Sequence, residues 1–119
     1  MKRKSLQAET PTARAEESLC RALLAIGDVA GMRAFLRDLC TPAELEALVD
    51  RWRVVPYLLD GMPYREIHER TAVSITTIGR VARFLNQGNG GYRAVLDSGA
   101  LVAKPPRRTK KAVVAGARA

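Results

Sequence analysis

A chain of 119 residues with a formal net charge of +8 has room for one small domain, and such a domain buries a smaller fraction of its surface than a large one does. No stretch approaches the roughly 18 uninterrupted apolar residues that cross a bilayer, and Met1 to Ser5 is basic with no apolar run behind it, so a cytoplasmic protein is expected. Cys20 and Cys40 are too few for a disulfide framework and lack metal-ligand spacing; both are expected to be buried free thiols.

Residues 1 to 11 read as a flexible polar arm. Thr12 is the expected cap of a first helix, whose Leu19, Ala22, Leu23 and Ile26 recur at three- and four-residue steps until Gly27. Asp28 caps a second helix with Val29, Met32, Phe35, Leu36 and Leu39 on one stripe, ending near Cys40. Thr41-Pro42-Ala43-Glu44 then supplies a capping hydroxyl, a proline at the first helical position and a glutamate that reaches back to the cap. The third helix carries Leu45, Leu48, Val49, Trp52, Val55 and Leu59 at helical spacing and stops at Gly61, which makes it the longest; Pro56 within it predicts a kink or an early last turn. Trp52, Phe35 and Tyr57 are read as core or dimer packing.

Pro63 opens a fourth helix over 64–70 with Ile67 inward. Thr71-Ala72-Val73-Ser74 connects it to a fifth helix over 75–86, capped by Ser74 and buried through Ile78, Val81, Ala82 and Leu85. The QGNGG run over 87–91 must end that helix, and a short turn or helix follows over 92–96. Segment 101–119 holds six cations and no acid, leaving 14 basic against 12 acidic residues before it. With Pro105-Pro106 and no apolar periodicity, 99–119 is expected to be a disordered basic tail. The domain proper therefore spans 12–98. No strand pattern appears, so the fold class is all-α. The hydrophobic share of 47% exceeds what one narrow helical stripe per element uses, so some apolar surface is expected to meet a second copy.

The stretch YREIHERTAVSITTIGRVARFL, residues 64–85, has the parts of a helix-turn-helix: a packing helix, a tight corner, a buried aliphatic just after it, and a second helix with one apolar and one polar face. Ile67, Val73, Ile78 and Val81 are the inward positions, and Ala72 stands at the corner where glycine is more usual. Residues 74–93 carry three arginines and no acid, a polarity that suits phosphates and base edges. The candidate DNA contacts are Arg65, His68, Ser74, Ile75, Thr76, Thr77, Gly79, Arg80 and Arg83. An Arg–guanine pair is worth about 1–3 kcal/mol of discrimination, and threonines at a helix N-terminus sit where an anion is favoured.

LCTPAELEALVDRWRVVPYLLDGMPYREIHERTAVSITTIGRVARFLNQGNGGY resembles the Trp repressor-like superfamily, and in particular its YerC/YecD branch, through Asp38-Leu39-Cys40-Thr41 and the run from Thr77 to Tyr92. The likeness covers roughly residues 18–98. It implies a Trp repressor-like, all-helical, intertwined homodimer whose two helix-turn-helix heads enter successive major grooves of double-stranded DNA. Thr41, Arg51, Thr77 and Arg80 match residue types around the tryptophan pocket of the tryptophan-binding members, and so mark a candidate effector pocket. Val81 and Phe84 stand where those members have glycine and serine. Aimed at that space, they fill it and remove a polar partner, so tryptophan is not the expected ligand. No cofactor is expected.

Catalysis finds little support: His68 is the single histidine, and no acid pair, nucleophile–base set or metal spacing accompanies it. GNGG over 88–91 follows no strand and precedes no Gly-Lys-Ser/Thr, so helix termination explains it better than a phosphate loop. The leading reading is a dimeric, sequence-specific transcriptional regulator. Two others stay open on the sequence: a sequence-indifferent nucleic-acid binder working through the basic tail, and a helical protein-interaction module.

Overall fold

A computed structural model of the protein describes residues 11–99. The expectations for the arm before residue 11 and for the basic tail lie outside the described residues. Seven α-helices run along this part: α1 (Thr12–Leu24), α2 (Val29–Leu39), α3 (Pro42–Arg53), α4 (Val55–Leu59), α5 (Tyr64–Thr71), α6 (Ile75–Gln87) and α7 (Gly91–Asp97). None is long and apolar enough to cross a membrane. The chain divides after Leu45 into two compact units.

In the first unit, α1 and α2 bury no residue. Leu23, Ile26, Met32, Phe35 and Leu36 are half-buried, while Leu24 and Val29 are more than 80% exposed. The expected caps are partly realised. Asp28 accepts the Gly31 N–H at 2.6 Å, but α1 starts after Pro11 with no side-chain cap, so Thr12 is its first helical residue. The capping box at α3 is present in both directions: the Thr41 N–H donates to the Glu44 carboxylate at 2.8 Å and the Glu44 N–H to Thr41 Oγ1 at 3.1 Å. Neither cysteine is buried, contrary to expectation: Cys20 is exposed and Cys40 half-buried. Cys20 lies on a helix with no buried position, so the usual habit of a free thiol has nothing to act on.

The core belongs to the second unit and consists of Val54, Val55, Met62, Ile67, Val73, Ile78 and Val81. Helix α6 packs against α4, α5 and α7 and is its centre. The long third helix expected from periodicity is broken into α3 and α4 at Val54, leaving α3 shorter than α1 and α6. Pro56 accounts for the break: it has no N–H for the carbonyl four residues earlier, and its ring crowds that carbonyl. The break also lets the adjacent Val54 and Val55 both become fully buried, where an uninterrupted helix turns neighbours about 100° apart. Gly61 closes α4 as expected, with φ +78, its N–H on Leu58 O at 3.1 Å and the Met62 N–H on Tyr57 O at 3.1 Å. That 6→1 and 5→2 pair needs a left-handed residue, which glycine adopts without strain.

Candidate nucleic-acid interface

The corner between α5 and α6 sets the direction of everything after it. Ala72 ends α5 in the left-handed region, φ 64 and ψ 8, and its N–H donates to His68 O at 2.8 Å. Three side chains brace the bend. Thr71 Oγ1 donates to Ile67 O at 2.7 Å and accepts the Val73 N–H at 3.1 Å. His68 Nδ1 lies 2.8 Å from Val73 O, so in the Nδ1–H form it donates there. Ser74 Oγ accepts the Thr77 N–H at 3.1 Å, the cap expected from sequence, and donates to Thr77 Oγ1 at 3.0 Å. With its polar groups satisfied the bend can bury Val73, which is 3% exposed.

Helix α6 then separates its faces. Ile78 and Val81 point into the core, while Ser74, Ile75, Thr76, Arg80 and Arg83 are exposed. Arg65 at the start of α5 is exposed as well. Thr77 and Gly79 are half-buried; the nearest atom to a Cβ built on Gly79 is Tyr64 Cε2, 3.9 Å away, so Gly79 faces α5. His68 is exposed overall but has one ring nitrogen committed to the corner. The ion pairs among the described residues, Arg21–Glu17, Arg53–Asp50 and Arg70–Glu66, use neither Arg80 nor Arg83. Those two guanidinium carbons instead lie over the Phe84 ring, at 4.5 and 5.5 Å from its centroid. Sequence reasoning missed both this arrangement and the Thr71 brace; the four-residue step from Arg80 to Phe84 was the available signal for the first.

Beside this face lies a cleft of about 540 Å³, lined among others by Leu48, Arg51, Trp52, Arg80, Phe84, Asn89, Tyr92 and Val95. Trp52 and Tyr92 stack within it, centroids 6.3 Å apart and planes 3° from parallel. Of the four residues expected around an effector pocket, the structure brings Arg51 and Arg80 together here. Thr77 does not line the cleft and has its hydroxyl on Ser74; Thr41 belongs to the first unit, where its hydroxyl caps α3. Val81, expected to be aimed into this space, is 1% exposed in the core and does not line it, whereas Phe84 does. Asn89 and Tyr92 were not singled out from sequence for this role. Among the described residues no group of His, Cys, Asp and Glu could hold a metal ion.

A packing helix, a side-chain-braced left-handed corner and a second helix with a cationic outer side define a helix-turn-helix domain in an all-helical frame. The chain belongs to the Trp repressor protein family, whose profile matches residues 15–99. YerC of Bacillus subtilis (strain 168) is 37% identical over 81 residues, 68% of this chain and 78% of that protein. The crystal structure of a TrpR-like protein from Eubacterium eligens ATCC 27750 superposes with a TM-score of 0.67 at 37% identity, covering 76% of this chain and 95% of that one. A Staphylococcus aureus structure superposes at 0.68 with 29% identity, covering 86% and 97%.

Proposed function

We propose that this protein is a sequence-specific DNA-binding transcriptional regulator that acts in the cytoplasm as a homodimer, placing α6 in the major groove of double-stranded DNA. The observation that carries the reading is the exposed side of α6: Thr76, Arg80 and Arg83 project from a helix whose opposite side is locked in the core, with no carboxylate paired to either arginine among the described residues. Ser74, Ile75, Thr77 and Gly79 complete the N-terminal half of the recognition helix, and Arg65 and His68 flank it from α5. Arginine reads guanine edges and neutralises phosphates; threonines at the helix start suit phosphate. Membership of the Trp repressor family supports a regulator rather than an enzyme.

Dimerisation is supported by the first unit. Leu19, Leu24, Val29 and Leu39 are all at least 40% exposed on helices that bury no residue, and apolar surface of this kind is ordinarily covered by a second copy. A two-fold dimer places two copies of α6 about one helical turn of DNA apart. Selection from random duplex DNA tests the whole reading and should return a site of two-fold symmetry. Replacing Arg80 and Arg83 together with alanine should abolish selection and flatten the log–log salt dependence by about 0.9 for each phosphate no longer neutralised. A dimer that keeps full DNA affinity after that double change would favour a protein-interaction module instead.

A further inference from the structure

Phe84 is the aromatic residue of α6 nearest the cationic face, and it is half-buried at the edge of the cleft. Two guanidinium groups lie over its ring, Arg80 at 4.5 Å and Arg83 at 5.5 Å, although both arginines have open solvent available to them. Two like charges on neighbouring turns repel, and with no carboxylate paired to them among the described residues the Phe84 ring is the attractive group beside each. An arginine in water has many rotamers and loses them on docking a phosphate. One already ordered on a ring loses less, and its planar fork stays free to donate.

We propose that Phe84 is a positioning residue, holding Arg80 and Arg83 as a paired cationic clamp for a DNA phosphate. The proposal rests on the DNA-binding reading above and adds to it that the clamp is organised by the chain's own ring before DNA arrives. Leucine at 84 keeps apolar bulk at the cleft edge but has no π face; tyrosine keeps the ring.

The test compares the full-length native chain, Phe84→Leu and Phe84→Tyr in two measurements. The first is the NMR ring-current shift on the Arg80 and Arg83 side-chain protons without DNA. The second is affinity for the selected duplex across a salt series. Native and Phe84→Tyr should show upfield-shifted arginine protons and bind within about twofold of each other. Phe84→Leu should lose those shifts and bind more weakly by up to about five- to thirtyfold, the upper range for losing exposed cation–π order at two side chains. It should still unfold cooperatively, with a midpoint lowered by no more than several degrees by the lost ring contacts. Its salt slope should stay at the native value, because the arginines still reach phosphate once bound, unlike the flattened slope of the Arg80/Arg83 double alanine variant. Equal DNA affinity of the leucine variant and the native chain would overturn the proposal. So would a tyrosine variant as weak as leucine, or native arginine protons without ring-current shifts. A native chain that shows the shifts yet binds no duplex would overturn the DNA reading and the clamp's purpose with it, while leaving the side-chain geometry standing.

Discussion

Ala72→Gly should stabilise the protein, and the size of the effect follows from one backbone angle. Ala72 is the non-glycine residue with positive φ among those described, at φ 64. A left-handed conformation costs a residue with a Cβ about 1–2 kcal/mol, because the Cβ approaches the following carbonyl. Glycine removes that cost but adds about 0.4–1 kcal/mol of unfolded-chain entropy. The central values of the two ranges leave the variant about 0.8 kcal/mol more stable. A domain of about 60–100 residues gains roughly 4–8 °C in melting midpoint per kcal/mol, so the midpoint should rise by about 3–6 °C. The assay is thermal unfolding by far-ultraviolet circular dichroism at one fixed protein concentration, because any self-association makes the midpoint concentration-dependent. Ala72→Val is the opposing control: a β-branched side chain in this region is a genuine outlier and should lower the midpoint. The bonds from Thr71, His68 and Ser74 are independent of residue 72, so DNA affinity should not fall in the glycine variant. A lowered midpoint for Ala72→Gly would refute the claim that the corner is strained and held by its braces.

Gly88→Ala should destabilise the end of α6 by more than helix propensity could return, since a Cβ there would sit 2.4 Å from Phe84 O, the acceptor of the Gly88 N–H; a raised melting midpoint would contradict this. Thr41→Ala should cost about 1 kcal/mol in urea unfolding. The Thr41→Ala, Glu44→Ala pair should cost less than the sum of the singles, because each half of the capping box supports the other. Deleting residues 101–119 removes six cations and should make the salt dependence of DNA binding shallower, while leaving the selected sequence unchanged. Loss of all binding on that deletion would favour the sequence-indifferent reading.

Much of the local structure is legible along the chain. Asp28, the Thr41–Glu44 box, Gly61 and Ser74 act within a few residues of themselves, so spacing alone locates those boundaries. The inward positions of the helix-turn-helix, Ile67, Val73, Ile78 and Val81, follow from helical periodicity and are all buried. Periodicity is weaker where two effects compete. Around Pro56 it continued a single helix, because side-chain spacing carries no record of a missing N–H; the backbone broke instead and buried Val54 beside Val55. Cys20 shows the limit of composition: a residue type has a habit of burial, but only the neighbouring elements supply something to be buried against.

The candidate site divides along the same line. The amino-acid sequence by itself determined where α6 begins, which of its sides is apolar and that its other side carries Arg80 and Arg83, since each is a property of neighbours three or four residues apart. Tertiary structure alone decided that Arg51 and Arg80 line one cleft that Thr77 does not line, and that Trp52 stacks on Tyr92 from forty residues away. Those outcomes depend on the angle at which separate helices cross. That angle is set by how α6 packs on α4, α5 and α7 together, a sum of interactions that no single stretch of sequence contains.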